Sequence, residues 1–485
     1  MKNKKGFTLI ELIAVLVIMA VVSLIVAPLI LNIIRNVRTS INKRSIDGYG
    51  RAAELAMADY LQVNKVYPDE FDELEIEYHG NKVECDTTRI NPDHTIYLSK
   101  CKVNGKYVKD DKNKDGYYHY GTLKMTNIEY VDAYGKNLED ALKKYHYEHN
   151  EYPSDYTTLA VEELDKDVSC DVTINCNGTV KLTSCKVNDE NVYEDNTTDY
   201  YVYGDTPLAT TCLLLKTNSK SITNYTDGDI HEMYTFDHDA TEQTPALTDY
   251  RYIGSDPYNY VTFNGDESWR IIGVFDVDDG TGKYEKRIKL IRASTFESGM
   301  VWDSNNESEW KDTAISEYIN GEYYNYLDAE SSSLIAISKY YLGGAGASNI
   351  NGESYYVFER GNNTYNNTDT YWIGKLALIY PSDYAYTFAL NVDENCYKNG
   401  YKCEASNNGN PSSSWIFTSN GNSSVWTISP RSNMATGIYL IYSTGWVNGG
   451  SKRYSNSIRP VLYMNSNVKI KSGNGSIDNP YEFEL

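Results

Sequence analysis

The hydrophobic pattern along the chain changes period several times. Residues 7–34 are almost wholly apolar, and Glu11 is the only ionisable side chain among them. As a helix this run reaches roughly 42 Å at about 1.5 Å per residue, more than a bilayer's hydrocarbon core of about 30 Å. Apolar residues then return at three- and four-residue steps, at Ile46, Tyr49, Ala53, Ala56 and Tyr60. That spacing predicts one helix continuing to about Lys65, closed by Pro68, with Pro28 removing a backbone donor and allowing a kink. Short strand-like runs follow at Thr95-Ile96-Tyr97-Leu98, Cys101-Lys102-Val103 and Tyr117-Tyr118-His119-Tyr120, with Asn104-Gly105 as a tight turn. Three antiparallel strands packed on the helix are expected.

The plan recurs 85 residues later. Tyr49-Gly50 returns as Tyr134-Gly135, Tyr67-Pro68 as Tyr152-Pro153 and Cys85 as Cys170. Ser99-Lys100-Cys101-Lys102-Val103-Asn104 returns as Thr183-Ser184-Cys185-Lys186-Val187-Asn188, and Val131, Leu138, Leu142 and Tyr145 give the second helix its stripe. So constant an offset marks a tandem repeat. After it, residues 213–250 are polar with few strand signals. Strand runs then appear at Tyr260-Val261-Thr262-Phe263, 269–275 and 288–292, with a short helix begun by Asp312 or Thr313 and striped by Ile315, Ile319 and Tyr323. The expected class is α+β: a long N-terminal helix continuing into a head of helix plus antiparallel sheet, a second such head, and a mixed, mainly β C-terminal domain. The boundaries fall at 1–6, 7–126, 127–212 and 213–485.

Composition narrows the function. The formal charge of −22 speaks against nucleic-acid partners, which need a basic surface to release counterions. Tyr is abundant, at 46 copies, which suits external recognition and equally fits a coding bias. All eight cysteines follow the apolar run, and no C-x-x-C occurs, so disulfides are expected rather than a zinc ribbon or redox site. The repeat pairs Cys85 with Cys101 and Cys170 with Cys185. Cys176 and Cys212, without counterparts in the first head, are expected to pair, and Cys396 with Cys403 to close a local loop. All seven histidines lie at or before His238, which removes the commonest general base from the rest of the chain. No catalytic residue, cofactor or enzymatic role is expected.

The start of the chain carries the sharpest signal. Lysines at 2, 4 and 5 precede Gly6-Phe7-Thr8-Leu9-Ile10-Glu11, and a carboxylate within a membrane span costs ~2.5–3.5 kcal/mol unless it has a partner. This sextet resembles the leader and N-terminal motif of type IV pilins and pseudopilins. The resemblance implies cleavage after Gly6 and N-methylation of Phe7 by a membrane-embedded prepilin peptidase. It also implies pairing of the new amino terminus with Glu11 of a neighbouring pilin subunit, and a helix-loosening role for Pro28. Residues 7–34 would then anchor the chain in the membrane, with the C-terminus outside, before an assembly machinery builds it into a surface pilus. A plain signal anchor fits the length but explains neither Gly6 nor Glu11.

Two further features are candidates for binding. Asp111-Lys112-Asn113-Lys114-Asp115-Gly116 opens like a calcium loop, with Asp111, Asn113 and Asp115 as ligands, but its twelfth position is Thr122 rather than Glu. A solvated turn is the stronger reading, with no metal expected. In the last module the stretch 429–457 holds Arg431, Asn433, Tyr439, Tyr442, Trp446, Asn448, Arg453, Tyr454 and Asn456, aromatic anchors among small polar residues. Residues 213–485 resemble an uncharacterised domain of bacterial surface proteins and, remotely, formylglycine-generating-enzyme and C-type-lectin-like folds. That resemblance implies a ligand face just before the last strand, for an extracellular glycan or protein. The competing reading puts Tyr439 and Trp446 in the core, because Ile438-Tyr439-Leu440-Ile441 also reads as a strand. Together these readings describe a minor or tip pilin with an adhesive domain; a pseudopilin of a secretion system, or an anchored surface protein that never assembles, are the alternatives.

Overall fold

The apolar run and the amphipathic stretch behind it join into one helix, α1 (Leu9–Asn64), which runs through Pro28 and ends where Lys65 takes a φ of 64°. A computed structural model describes residues 9–113, 115–153, 155–194, 197–218, 232–303, 309–346, 351–388, 411–421 and 423–485, without the side chains of 9–12, 23–25, 27–29, 32 and 366. Between Ile13 and Ile41 the described large apolar side chains of α1 are exposed on every side. From Ile46 onward one face is buried: Ile46, Ala53, Ala56 and Met57 share a core with Ile96, Leu98, Cys101 and Val103. Among the described residues no helix is long and apolar enough to cross a membrane; the side chains of eleven positions within the apolar run of α1 lie outside that description.

The first head places β1 (Val83–Ile90), β2 (Ile96–Val103) and β3 (Lys106–Tyr107) in that order, antiparallel, beside α1. The two runs expected as separate strands, 95–98 and 101–103, lie on the single strand β2, β1 was not among the expected runs, and the third strand is not Tyr117-Tyr118-His119-Tyr120. Asn104 (φ 50°) and Gly105 (φ 77°) turn the chain straight back along β2, so residues 106–107 take the edge. Tyr117 and Tyr120 make only single bridges, to Lys109 and Leu98.

The second head repeats the order with α2 (Asn127–His149), β4 (Val168–Ile174), β5 (Val180–Val187) and β6 (Glu190–Asn191). A capping box starts α2: the Thr126 hydroxyl accepts from the Glu129 N–H at 3.2 Å, and Glu129 accepts from the Thr126 N–H at 2.7 Å. Arg89 of β1 donates to the same carboxylate at 2.5 Å.

The repeat holds at the level of atoms. Asn91 Nδ2 donates to Thr95 Oγ1 and Thr122 O, each at 2.9 Å; Asn175 Nδ2 donates to Thr179 Oγ1 and Asp205 O, also at 2.9 Å. A Cβ on Gly50 would stand 2.3 Å from the Tyr120 ring, and one on Gly135 2.3 Å from Tyr203. Cys85 and Cys101 face each other across β1 and β2 and are bonded, as are Cys170 and Cys185.

Grouped by proximity, the chain falls into one unit of residues 1–141, 159–172 and 182–203 and another of 142–158, 173–181 and 204–485, so the second head is divided between them. The larger unit holds the Cys176–Cys212 disulfide. Cys212 lies on α3 (Ala209–Leu215), whose Ala209 N–H donates to Val468 O at 2.8 Å and whose Leu213 is buried in the unit's core. The C-terminal fold therefore begins before α3, not at 213. Its main sheet has the order β13-β17-β12-β11-β9-β8-β7, with β10 on β11. In chain order these are β7 (Thr217–Asn218), β8 (Met233–His238), β9 (Leu247–Arg251), β10 (Tyr260–Phe263), β11 (Glu267–Asp278), β12 (Tyr284–Arg292), β13 (Leu376–Leu378) and β17 (Pro460–Tyr463). The stretch expected to hold few strands supplies β8 and β9, because Met233, Tyr234 and Phe236 turn inward while Thr235 and Asp237 do not. A second sheet, β14 (Val425–Pro430), β15 (Gly437–Ile441) and β16 (Val447–Ser451), carries the stretch expected to bind. Thr313 caps α4 (Ala314–Tyr318), accepting from the Ser316 N–H. Two more short helices, α5 (Gly352–Glu359) and α6 (Pro381–Ala385), lie against the fold's polar centre.

Candidate functional site

Gly6 and Phe7 lie outside the described residues. Glu11 and Pro28 lie within α1, their side chains outside the description. Cys396 and Cys403 also fall outside it.

The nine residues nominated between 431 and 456 do not form one face. Tyr439 is a core residue: it is fully buried on β15, its hydroxyl donates to Ala345 O at 3.2 Å, and its ring meets Tyr355 edge-on at 5.5 Å. Burial pushes its phenol up to about 12. The alternation of β15 requires this, since both faces of that strand are covered. Tyr442 and Trp446 close the β15–β16 turn through Tyr442 N–H to Trp446 O at 2.7 Å. Both are half-buried; the Tyr442 hydroxyl donates to Gly449 O at 3.1 Å. Asn448 is half-buried and accepts from the Gly449 N–H. Asn456 pairs with Met300 in a two-residue ladder. Arg431 is half-buried, its guanidinium 5.9 Å from the Tyr439 ring. Its segment docks on the Gly343-Gly344-Ala345-Gly346 loop, through Ser432 N–H to Ala345 O at 3.2 Å and Asn433 Nδ2 to Gly346 O. Asn433, Arg453 and Tyr454 remain outward, Tyr454 at 71% exposure.

A cleft beside β14 and β15 is lined by Trp302, Trp310, Leu342, Ile428, Pro430 and Ile438. The indole N–H groups of Trp302 and Trp310 are buried without an acceptor among the described residues. Neither tryptophan was nominated from the sequence, where nothing but residue type marks them.

The calcium-like turn is closed by its own chain. Both carboxylate oxygens of Asp115 lie 2.9 Å from His119 Nε2, and one also accepts from Ser99. Asn113 Nδ2 donates to Tyr117 O at 2.6 Å. Among the described residues no group of three or more His, Cys, Asp or Glu is placed to hold a metal.

Sequence reading also missed a buried ionic centre in the C-terminal fold. Asp383 of α6 accepts from Lys289 Nζ of β12 at 2.5 Å and Arg251 Nη1 of β9 at 2.8 Å. Arg251 also donates to Asp249 at 2.7 Å, and His238 Nε2 lies 3.0 Å from that carboxylate. Glu359 of α5 accepts from the Ser382 N–H at 2.9 Å, from the Ser382 hydroxyl at 2.5 Å and from Arg360 at 3.3 Å. Burial raises Glu359, against the pull of Arg360 and Ser382, to about 7. Burial also acts to raise Asp383, but the charges of Lys289 and Arg251 outweigh it and hold the group below its ordinary range. All these groups are buried and paired. Their chemistry is to fasten α5 and α6 to the sheet, since removing one partner leaves an uncompensated buried charge.

No curated protein and no solved structure matches this chain. Residues 1–27 match the family described as the prokaryotic N-terminal methylation motif. That segment carries Gly6, Phe7 and Glu11, and the motif implies prepilin-type processing, membrane insertion and surface or pilus-type localisation.

Proposed function

We propose that this chain is a minor or tip subunit of a type IV pilus-like filament. It is cleaved after Gly6, methylated on Phe7 and stacked on other pilin subunits with Glu11 setting the register. The observation that carries the reading is the motif match over residues 1–27 running directly into α1, whose described apolar side chains up to Ile41 are uncovered by the rest of the chain. Such a helix needs lipid or neighbouring helices around it. The C-terminal fold acts as a non-enzymatic binding domain for an external glycan or protein, with Arg453, Tyr454 and Asn433 as its outward residues on the 429–457 side. A module of that bulk on two heads favours a sparse or terminal position.

Glu11→Ala tests the assembly role. The variant should still insert and be cleaved but should disappear from sheared filaments; normal filaments would remove the role given to Glu11. Immuno-electron microscopy against the C-terminal fold tests the position: labelling at tips or at sparse points is expected, and uniform labelling along the fibre contradicts it.

A further inference from the structure

Two tryptophans differ from the others buried in the C-terminal fold. Trp269, Trp415 and Trp426 each donate the indole N–H to an oxygen, Glu267 Oε2 at 3.1 Å, Tyr252 O at 3.1 Å and Met300 O at 2.9 Å. Trp302 and Trp310 are each 2% exposed, and neither N–H meets an acceptor among the described residues. A buried donor without a partner is destabilising, so two of them side by side need a reason. Their rings stand 5.4 Å apart, and both line the cleft beside β14 and β15. Leu342, Ile428 and Ile438 form its buried apolar wall, with half-buried Thr368 and exposed Asp369 at the mouth. Among the described lining residues none is a cation.

These features select a ligand chemistry. A carboxylate at the mouth, with no cation in the wall, disfavours an anion. A hydroxyl entering the cleft brings a proton of its own that the apolar wall cannot accept. A carbonyl oxygen brings two lone pairs and no proton, which matches two indole N–H groups. The enclosed part admits about one water-sized group, so only the tip of a ligand enters and its body rests at the mouth. There Thr368 and Asp369 suit the hydroxyls of a sugar ring better than the methylenes of a long side chain.

We propose that this cleft binds a neutral saccharide through an acetamido group, the carbonyl oxygen accepting from Trp302 and Trp310 and the methyl lying on the apolar wall. This rests on reading the C-terminal fold as a binding domain; it adds the ligand's class and a site apart from Asn433, Arg453 and Tyr454.

Calorimetric titration of the full chain in detergent with N,N′-diacetylchitobiose tests it, with cellobiose as the disaccharide that lacks the acetamido groups. The first should bind saturably and about tenfold or more tighter than the second. Trp302→Phe and Trp310→Phe keep an aromatic ring and lose only the donor's side of the indole; each should weaken binding roughly fivefold, the worth of one neutral hydrogen bond. Trp426→Phe disturbs the same aromatic cluster without touching a cleft donor and should bind as wild type, which separates loss of the site from loss of the fold. Equal binding of cellobiose overturns the acetamido assignment. Tighter binding of an acetyl-lysine peptide overturns the saccharide. Binding unchanged in both Trp302→Phe and Trp310→Phe removes the cleft and keeps the binding-domain reading, whereas a chain that retains neither saccharide nor peptide removes both.

Discussion

Tyr439 shows how a residue's type and its place can point in opposite directions. Its neighbours in sequence read as a recognition loop, yet its ring is buried on β15 and its hydroxyl is spent on Ala345 O. Tyr439→Phe should cost about 1 kcal/mol, the net worth of one hydrogen bond, and Tyr439→Ala about 3–5 kcal/mol through the cavity it leaves. Urea unfolding of the two variants checks the difference. The buried ionic centre gives a pH test with a definite sign. Because the folded state raises Glu359 to about 7, its contribution is fully present below about pH 4.5 and is lost as pH rises through about 7. Wild type should therefore lose stability relative to Glu359→Gln between pH 5 and pH 8, by on the order of 3 kcal/mol at most. A constant difference across that range would place the carboxyl in an ordinary environment. Asp383 works the opposite way, since its depressed value gives stability that is present above the ordinary carboxylate range and lost on acidification. None of this centre was legible in the sequence. Asp249 and Arg251 sit on a strand that reads as polar, and Lys289 interrupts an apolar run only once; Asp383, the partner that Arg251 and Lys289 share, is 132 and 94 residues from them.

At the scale of elements, the repeat was the most legible feature, because the residues that recur are those with a steric job. Gly50 and Gly135 sit under the Tyr120 and Tyr203 rings, where a Cβ would intrude to 2.3 Å. Gly50→Ala and Gly135→Ala should each destabilise their own head, by about 1–3 kcal/mol, and leave the other head's amide protection intact in hydrogen exchange. Protection lost in both heads would mean the two do not fold as separate helix-and-sheet units. What the sequence hid was pairing. The third strand of the first head is two residues long, set by the Asn104-Gly105 turn rather than by the tyrosine run that looked like a strand. In the polar stretch 213–250, β8 and β9 show inward and outward alternation too short to stand out from its surroundings. The C-terminal boundary moved for a related reason: α3 reads as the tail of the second head, but Leu213 fills the core of the fold that follows. Cys176–Cys212 fastens α3 to the turn after β4. Reducing that bridge alone, through Cys176→Ser with Cys212→Ser, should cost about 3–4 kcal/mol in the chain-entropy view.

For the whole molecule, the decisive information sits in the first eleven residues, a segment whose meaning is chemical rather than steric. On the filament reading proposed above, a glycine before a hydrophobic helix and a carboxylate five residues into it account for processing and register together. The helix that begins at Leu9 is also the spine of the first head, sharing its core through Ile46, Ala53, Ala56 and Met57. The charge of −22 is carried mainly beyond residue 126. The most direct test is mass spectrometry of the N-terminal peptide of the protein recovered from its membrane and from sheared surface material. The expected peptide begins at N-methylated Phe7 in the filament fraction, with residues 1–6 present only on the membrane-bound precursor. A surface-exposed chain that still carries residues 1–6, or one that begins anywhere other than Phe7, would contradict the account.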